Sequence, residues 1–333
     1  MTSVTFSSPL ARWFEPRPPG ADAPPAVVAV GTMNFGGRTH APEARRLVAR
    51  ALERGVPFFD TSNSYNNGEA ERLLGEALRG RREQVGIATK VGLARIRGRP
   101  EGLGGAPLVR SVEESLKRLG TEYVDVLYLH APDAATPVEE TLEAVHGLLT
   151  AGKVRHWGVS NHAAWQILEL NGLCAARGMP RPAISQVLYN LLVRQVEVEY
   201  LPFTRRHPLH TTVFNPLAGG LLSGRYAPGA TIAAGSRFEG NRLYQGRYWS
   251  PRLLDMTARL REVAEQAGLS LVELAYGWLV GRPGVDSVLA GPGSVEHLDA
   301  ALDACAHPLP EDVARRVDAL YREWQGTDAS YVR

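Results

Sequence analysis

The chain has 333 residues and an ordinary composition, with 44% hydrophobic and 22% charged residues. Lys and Arg number 37 and Asp and Glu 35, so the formal net charge is +2 and demands neither a nucleic-acid nor an acidic-membrane partner. No apolar run approaches the ~20 residues that cross a bilayer, and no basic segment with an apolar core opens the chain. We therefore expect a cytoplasmic protein without a signal peptide. Its two cysteines, Cys174 and Cys305, are too few for a disulfide framework or a four-ligand zinc site.

The first 26 residues are predicted to be an irregular, proline-rich lead-in, because six prolines fall between Pro9 and Pro25. One domain is predicted over residues 27–333. Within it, short apolar runs of strand length alternate with amphipathic stretches, and their near-continuous apolarity is typical of strands buried on both faces. The eight runs are Val27–Val30, Val56–Phe59, Val85–Ala88, Val124–Leu129, Val154–Val159, Ile184–Val187, Thr211–Phe214 and Ser287–Ala290.

Helical periodicity lies between these runs. Apolar residues recur at helical spacing in four stretches, which are Leu47–Leu52, Leu73–Leu78, Leu108–Leu119 and Val138–Leu149. The fourth stretch predicts Thr136 as N-cap, Pro137 at N1 and Glu139 at N3. Glycines that suit a positive φ follow three of the helices, at positions Gly55, Gly120 and Gly152.

Eight strands alternating with helices predict a parallel sheet, and their even spread favours a closed (β/α)8 TIM barrel as a single domain. The alternative is a doubly wound open sheet. It is disfavoured because no Gly-x-Gly-x-x-Gly follows the first strand. In a barrel, functional side chains gather at the C-terminal ends of the strands.

Four polar residues follow predicted strands at that end: Asp60, Tyr65, Lys90 and His130. Taken singly, Asp60 could be a helix cap and Tyr65 a residue of the packed core. Lys90 could be a solvated surface charge and His130 a buried histidine with satisfied hydrogen bonds. Together they have a chemical logic, because a cation lowers the pKa of a nearby phenol and a carboxylate holds that cation. A histidine can orient a carbonyl or relay a proton. The set suits general-acid catalysis, in which a proton reaches a carbonyl oxygen as hydride reaches its carbon.

Other chemistries find little support in the sequence. It has no His-Glu-x-x-His, no paired-cysteine spacing, no Gly-x-Ser-x-Gly and no Gly-x-x-x-x-Gly-Lys-Ser/Thr. We predict no metal site.

The motifs 60–65 (Asp-Thr-Ser-Asn-Ser-Tyr), 68–75, Thr89-Lys90, Leu129-His130 and 158–161 resemble those of the aldo-keto reductase superfamily. Segments that look like its aflatoxin-aldehyde (succinic semialdehyde) reductase branch are 129–133, 136–142, 215–222 and 331–333. The resemblance implies an NADPH-dependent reductase of aldehydes or ketones on a (β/α)8 barrel. By that likeness Tyr65 is the proton donor, Lys90 lowers its pKa, Asp60 supports Lys90 and His130 orients the carbonyl.

The resemblance also implies a site for NADP(H). Ser160, Asn161 and Gln186 match positions that hold the nicotinamide amide, and Tyr189 matches a ring that stacks on the nicotinamide. Segment 215–225 matches the loop around the pyrophosphate, and 291–299 matches the adenosine-phosphate segment at a helix N-terminus. The cofactor-binding residues implied are Met33, Asp60, Ser160, Asn161, Gln186, Asn215, Pro216, Leu217, Ala218, Gly220, Leu222, Arg225, Arg237, Gly291, Gly293, Ser294, His297 and Asp299. The segment 291–297 departs from the usual pattern, which leaves the preference for NADP over NAD open.

The substrate-binding residues implied are His130, Tyr244, Arg247 and Arg333. An arginine fork suits a carboxylate, so a substrate with an acidic group distal to its carbonyl is favoured. The alternatives are that Arg247 pairs with a surface acid and that Arg333 belongs to a frayed tail. The C-terminal segment and the loop 227–250 are expected to close over the pocket.

Two other functions stay open. The first is a regulatory NADP-binding subunit on the same fold, since some superfamily members are channel partners. The second is a pathway-specific reductase of a keto-sugar or natural-product intermediate. A composition rich in Ala, Arg, Gly and Pro is the feature that favours it. The native substrate, the physiological direction and the oligomeric state are not determined by the sequence, although relatives in this branch form dimers, so a homodimer is one possibility.

Overall fold

Eight parallel strands close into a barrel in the computed structural model, which describes residues 26–96 and 98–327. The strands are β1 (Val27–Gly31), β2 (Phe58–Asp60), β3 (Gly86–Val91), β4 (Val124–Leu129), β5 (Val154–Ser160), β6 (Ile184–Leu188), β7 (His210–Phe214) and β8 (Ser287–Ala290). They pair in chain order, and β1 closes the barrel by pairing with β8 from Val27↔Ser287 to Val30↔Ala290. The predicted single-domain (β/α)8 fold is confirmed, as is a strand at each of the eight runs. The lead-in lies almost wholly outside the described residues, so the boundary at residue 26 stays a prediction.

Helices connect successive strands and surround the barrel. They are α1 (Ala41–Glu53), α2 (Glu69–Ala77), α3 (Gly105–Leu119), α4 (Val138–Thr150), α5 (Ala164–Ala176), α6 (Tyr200–Arg206), α7 (Arg242–Tyr248), α8 (Pro251–Gln266), α9 (Leu271–Val280), α10 (Val295–Cys305) and α11 (Glu311–Gln325). Short 3-10 helices occupy Tyr65–Gly68, Arg82–Gln84, Gln195–Glu197 and Ala218–Ser223, and Arg95–Ile96 pairs antiparallel with Arg99–Pro100. All four helices predicted from periodicity are present, and Gly55, Gly120 and Gly152 take positive φ values of 73°, 65° and 70°.

The predicted cap of α4 is wrong. Pro137 occupies the N-cap position and the helix begins at Val138, without a side-chain cap. Thr136 instead donates its hydroxyl to Asp133 Oδ2 at 2.7 Å, and Asp133 Oδ1 accepts the amide of Ala135 at 3.0 Å. The Thr136 hydroxyl, which was expected to cap α4, therefore binds the Asp133 carboxylate instead.

Two apolar layers hold the barrel together. One lies between the strands and the helices, and the other fills the barrel interior with a small cluster: Ala29, Phe58, Ala88, Val126, Tyr128, Ile184 and Leu289. Burial of this kind stabilises by roughly 25 cal/mol per Å² of apolar surface removed from water. These inward-facing side chains make the barrel interior a packed core, and in barrels of this kind the functional sites lie at the C-terminal ends of the strands.

Unusual backbone conformations gather at that same end. Within residues 26–96 and 98–327, five residues other than glycine have a positive φ, namely Asn66, Asn67, Asn161, Asn215 and Ala218. Each lies in the connecting segment that follows the C-terminal end of β2, β5 or β7. Such conformations cost free energy and cluster at functional sites, so they mark this end of the barrel.

In the part of the chain that the structure describes, every helix is too short or too polar to span a bilayer. No cluster of His, Cys, Asp or Glu among these residues is arranged to hold a metal ion. Cys174 and Cys305 are both free and buried.

Candidate active site at the C-terminal end of the barrel

Lys90 is the centre of the four-residue constellation. It lies near the end of β3 and is fully buried beside Asp60, the last residue of the neighbouring strand β2. Its ammonium forms an ion pair with Asp60 Oδ1 and donates to the carbonyl oxygen of Thr61 at 2.9 Å. A third hydrogen bond runs from Lys90 Nζ to Tyr65 Oη at 3.4 Å. The barrel register thus brings together three side chains that are up to 30 residues apart in sequence.

Burial has the largest effect on the proton affinity of Tyr65. It raises the pKa of the half-buried phenol, while the Lys90 ammonium lowers it and the Asp60 carboxylate raises it again. The net pKa is raised, so the lowering by Lys90 expected from the sequence is outweighed by desolvation. For Lys90, burial lowers the pKa, but Asp60 and Tyr65 offset this effect and the net pKa is raised. At neutral pH the pair therefore consists of a protonated phenol and a charged ammonium.

His130 follows β4 and lies against Tyr65, with ring centroids 6.0 Å apart in an edge-on arrangement. Its Nδ1 is 3.2 Å from Ser62 Oγ. Burial, and secondly the Lys90 charge, lower the pKa of His130 to about 3. The imidazole is therefore neutral near pH 7 and can offer a hydrogen bond, but it does not act as a cationic acid.

An open cleft of about 740 Å³ lies above these residues, within the range typical of small-molecule sites. Lys90 lies beneath its floor and reaches it through Asp60 and Tyr65. The predicted site residues that line the cleft are Met33, Asp60, Tyr65, His130, Ser160, Asn161, Gln186, Asn215, Pro216, Leu217, Gly220, Arg225, Arg237, Tyr244, Arg247, Gly291, Gly293 and His297.

Four predicted cofactor residues are not part of this lining. Ala218 and Leu222 are fully buried in the core beneath the loop. Ser294 is the N-cap of α10, where its Oγ accepts the amide of His297. Asp299 pairs with Arg50 of α1 and with the C-cap residue Arg54, at 3.0 Å from Arg50 Nε and 2.5 Å from Arg54 Nη1. Side-chain contact with a ligand in the cleft is thus not supported for these four in the structure.

Ser160, Asn161 and Gln186 form one hydrogen-bonded group at the ends of β5 and β6. Asn161 Nδ2 donates to Ser160 Oγ at 3.1 Å and to the carbonyl oxygen of His130 at 2.9 Å. Ser160 Oγ donates to the carbonyl oxygen of Gln186 at 3.0 Å, and Gln186 Nε2 donates to Asp60 Oδ2 at 2.8 Å. These three residues, which are predicted to hold the nicotinamide amide, are thus hydrogen-bonded to the ion pair of Asp60 and Lys90.

The prediction that Tyr189 stacks on the nicotinamide is wrong for this structure. Its ring is fully buried, packs on Trp278 with centroids 5.1 Å apart and bonds Glu197 through its hydroxyl. Tyr189 follows the end of β6 and turns toward the helices. Phe214, the last residue of β7, lines the cleft instead.

Arginines gather at the other end of the cleft. Arg38 Nη2 and Arg237 Nη2 both donate to Oδ1 of Asn34, at 2.7 and 2.6 Å, and Arg225 Nη2 lies 3.3 Å from His297 Nε2. None of the three arginines has an ion pair with an acid among the described residues. Burial and the neighbouring Arg237 lower the pKa of Arg38 to about 10. Unneutralised guanidinium groups that converge in this way suit an anion such as a phosphate.

Asn34 and Arg38 belong to this arginine cluster but were not predicted from the sequence as site residues. Both belong to the loop after β1, and Asn34 Nδ2 also donates to the carbonyl oxygens of Gly291 and Pro292 at 3.2 and 3.1 Å. Arg38 follows the Gly36-Gly37 pair within this loop. A cation in the loop that follows a barrel strand is the sequence signal that points to it.

The predicted substrate residues divide into two groups. Tyr244 and Arg247 of α7 line the cleft, and Tyr244 Oη donates to Asn215 Oδ1 at 3.3 Å. Arg247 lies 6.0 Å from the Tyr248 ring and has no ion pair within the described ranges, so pairing with a surface acid is not observed. Arg333 lies outside the described residues.

A sequence profile of the Aldo/keto reductase family matches residues 27–322, and the chain belongs to that family. Human aflatoxin B1 aldehyde reductase member 2 is 38% identical over 331 residues, with 92% of this chain and 88% of the human protein covered. The branch predicted from the sequence is thereby confirmed.

Two other similar proteins differ in the function that their names state. A probable voltage-gated potassium channel subunit beta of Arabidopsis thaliana is 36% identical over 265 residues, covering 78% of this chain and 80% of its own length. The solved structure of a glycerol dehydrogenase from Gluconobacter oxydans superimposes with a TM-score of 0.77 at 26% identity, covering 95% of this chain and 97% of that one. The chain therefore resembles both enzymes and proteins named as channel subunits.

Proposed function

We propose that this protein catalyses the NADP(H)-dependent reduction of an aldehyde or ketone to an alcohol, with Tyr65 as the general acid. The observation that carries the proposal is the hydrogen bond from the buried Lys90 ammonium to Tyr65 Oη at the floor of an open cleft. Asp60 holds that ammonium in place. The names of relatives such as the aflatoxin B1 aldehyde reductases support carbonyl reduction.

The cleft fits a dinucleotide phosphate cofactor. Three arginines without acidic partners in the described structure meet at one end, and the Ser160–Asn161–Gln186 group lies at the other, beside the catalytic pair. Gly219 and Gly220 have φ values of 70° and 105°, which a side chain rarely tolerates, and leave the backbone exposed to a ligand. When bound there, a reduced nicotinamide supplies hydride to the carbonyl carbon.

The proton comes from Tyr65. Its raised pKa keeps the phenol protonated, so it can donate to the oxygen of a carbonyl bound above it. The Lys90 ammonium stabilises the phenolate that remains, because an adjacent cation favours the charged form. His130 is neutral, so it can orient the carbonyl oxygen by donating a hydrogen bond without giving up its proton.

We further propose a substrate with an apolar body and a distal carboxylate. Exposed apolar side chains, Met33, Leu93 and Leu243, lie at the cleft, and Arg247 is available there for an anion. Arg333 stays a predicted second contact. Arg247→Met should raise KM for an aldehyde with a terminal carboxylate by about 10-fold or more, in line with the ~1.5–3 kcal/mol of a hydrogen bond to a charged group. An uncharged aldehyde of equal length serves as the control, and its KM should stay within ~2-fold of the wild-type value.

Tyr65→Phe tests the reaction itself. The variant should lose reduction of small aldehydes, followed as loss of NADPH absorbance, by at least ~100-fold, the low end of the contribution of a positioned acid. NADPH binding, followed by fluorescence titration, should remain. A variant with near wild-type kcat would refute the role of Tyr65.

The second candidate is an NADP-binding regulatory subunit, which the relatives named as potassium channel subunits favour. Tight NADPH binding by the wild type without turnover of any aldehyde or ketone would support it. A panel that includes keto-sugars also tests the pathway-specific reductase. Homodimer formation and a cytoplasmic location are further proposals, and light scattering after gel filtration measures the oligomeric state.

A further inference from the structure

Glu101 is a buried carboxylate outside the cleft. It is 8% exposed and forms no ion pair in the described part of the chain. N–H donors surround it instead: Asn63 Nδ2 donates to Oε1 at 2.7 Å, and the amides of Gly92 and Ala94 donate to Oε2, the latter at 3.2 Å. Hydrogen bonds to an ionised acceptor are shorter and stronger than neutral ones. Glu101 therefore makes a firm connection among all the groups that it binds.

These donors belong to the two segments that carry the catalytic pair. Asn63 lies two residues before Tyr65, in the turn that follows β2. Gly92 and Ala94 follow Lys90 at the end of β3. The turn also bonds β3 directly, since the amide of Asn63 donates to the carbonyl oxygen of Lys90 at 3.2 Å. Within the turn, the amide of Tyr65 donates to the carbonyl oxygen of Ser62 at 3.1 Å. One carboxylate thus joins the Tyr65 turn to the backbone just beyond Lys90.

We propose that Glu101 is a positioning residue of the active site: its carboxylate fixes the turn of Tyr65 against the end of β3 and so sets the contact between Tyr65 and Lys90. It acts through Asn63 on one side and through the amides of Gly92 and Ala94 on the other. Leu93, between those two amides, lies on the cleft wall, so the same contacts hold part of the substrate pocket. The inference rests on the proposed function, because it assigns a role relative to the proposed acid.

A purely structural role would have a different signature. It would lower the stability of the protein without changing the ionisation of Tyr65. The charged and titratable groups that face Tyr65 are Lys90, Asp60, Tyr244 and the neutral His130. Of these, Lys90 lowers the pKa of the phenol. A looser contact between Lys90 and Tyr65 would therefore raise the pKa of Tyr65 further.

Glu101→Ala is the principal variant. We expect kcat for aldehyde reduction to fall by about 10-fold or more, because a small misplacement of a catalytic group can cost up to ~100-fold in rate. The basic limb of the kcat–pH profile should move to higher pH, since reduction requires protonated Tyr65. The Kd for NADPH, measured by fluorescence, should stay within ~2-fold, because Glu101 does not line the cleft.

Glu101→Gln is the matched conservative variant. Its Oε1 can accept from Gly92 and Ala94, and its Nε2 can donate to Asn63 Oδ1, a buried oxygen without a partner in the described structure, once the Asn63 amide turns over. We expect kcat to stay within ~3-fold of wild type. Asn63→Ala removes only the link on the Tyr65 side and should shift the basic limb in the same direction as Glu101→Ala. Asn63→Ala also provides the test of the positioning role if Glu101→Ala does not fold.

Glu273→Ala is the stability control, because Glu273 is exposed, is not part of the cleft lining and caps α9 by accepting the amide of Ser270. It should lower Tm without moving the pH limb. If Glu101→Ala and Asn63→Ala behave like Glu273→Ala, with unchanged kcat and pH profile, the positioning role is refuted. Equal losses of kcat in Glu101→Gln and Glu101→Ala would also refute it.

A titration without turnover separates this inference from the proposed function. The pKa of Tyr65 can be followed by NMR on protein labelled with 13C at the tyrosine ring, with Tyr65→Phe to assign the signal. A higher pKa in Glu101→Ala than in wild type supports the positioning role even if no substrate is reduced. An unchanged pKa overturns it, whatever the activity of the wild type.

Discussion

Gln186, in β6, donates from Nε2 to Oδ2 of Asp60, at the end of β2, over a distance of 2.8 Å. The two strands lie on opposite sides of the barrel, so the bond spans its mouth. Because Lys90 binds the other oxygen of Asp60, both carboxylate oxygens have a partner. Gln186 is thus one of the residues predicted to hold the nicotinamide amide, and it also completes the hydrogen bonding of the Asp60 carboxylate.

The first prediction concerns this bond. Gln186→Leu leaves Asp60 Oδ2 unsatisfied in a buried site, at a cost of about 1–3 kcal/mol. Gln186→Glu places a second carboxylate beside Asp60, which raises the pKa of one of them. A raised folded-state pKa contributes stability below the unfolded pKa that is lost as pH rises. Relative to wild type, Gln186→Glu should therefore lose Tm from pH 5 to pH 8, while Gln186→Leu should not. Parallel Tm curves for the two variants would contradict this.

The second prediction concerns the buried ion pair. Lys90→Met leaves the Asp60 carboxylate uncompensated, and breaking a buried pair in this way costs about 3–5 kcal/mol. The double variant Asp60→Asn with Lys90→Met should regain much of that stability because no charge stays buried. It should not regain activity, since Tyr65 still lacks its cation. Urea denaturation and initial rates measure the two effects. A double variant no more stable than Lys90→Met would show that the charge of Asp60 is not the cause.

The third prediction uses the pKa of His130, which burial and Lys90 lower to about 3. His130 should contribute no ionisation to the rate between pH 5 and 8. His130→Gln, which keeps a neutral hydrogen-bond donor, should have the same acid limb as wild type, and His130→Ala should lose about 100-fold in kcat. A folded pKa below the unfolded value of ~6.5 gives stability above pH 6.5 that is lost as pH falls. The stability advantage of wild type over His130→Gln should therefore shrink from pH 7 to pH 4. An acid limb in wild type that disappears in His130→Gln would show that the imidazole titrates in this range.

The fourth prediction concerns the arginines that share Asn34. Burial and, secondly, repulsion from Arg237 lower the pKa of Arg38, and neither arginine has an ion pair with an acid in the described chain. Arg38→Gln should leave Tm of the cofactor-free protein unchanged or higher, since it removes a like charge. It should weaken NADPH binding about 10-fold and reduce the salt dependence of Kd, because one fewer cation meets the phosphates. Arg110→Gln, on an exposed face of α3, is the control and should change neither Kd nor its salt dependence. An Arg38→Gln variant with wild-type Kd would place Arg38 outside the cofactor site.

The barrel fold, the family and the four residues gathered around Lys90 could be predicted from the amino-acid sequence. Hydrophobic periodicity is a local property, so all eight strands and the four amphipathic helices were found from it. Functional groups of a barrel gather where parallel strands end, so Asp60, Tyr65, Lys90 and His130 followed from the strand assignment.

The protonation states and the contacts of these groups depend on the folded structure and could not be predicted from the sequence. The raised pKa of Tyr65 depends on how much water the fold excludes, and Tyr189 faces the helices rather than the cleft because of packing around Trp278. The contact between Gln186 and Asp60 joins residues 126 positions apart, and that between Arg237 and Asn34 joins residues 203 apart. The number of residues between two such segments does not predict their distance in space, because the closure of the barrel and the loops above it bring them together.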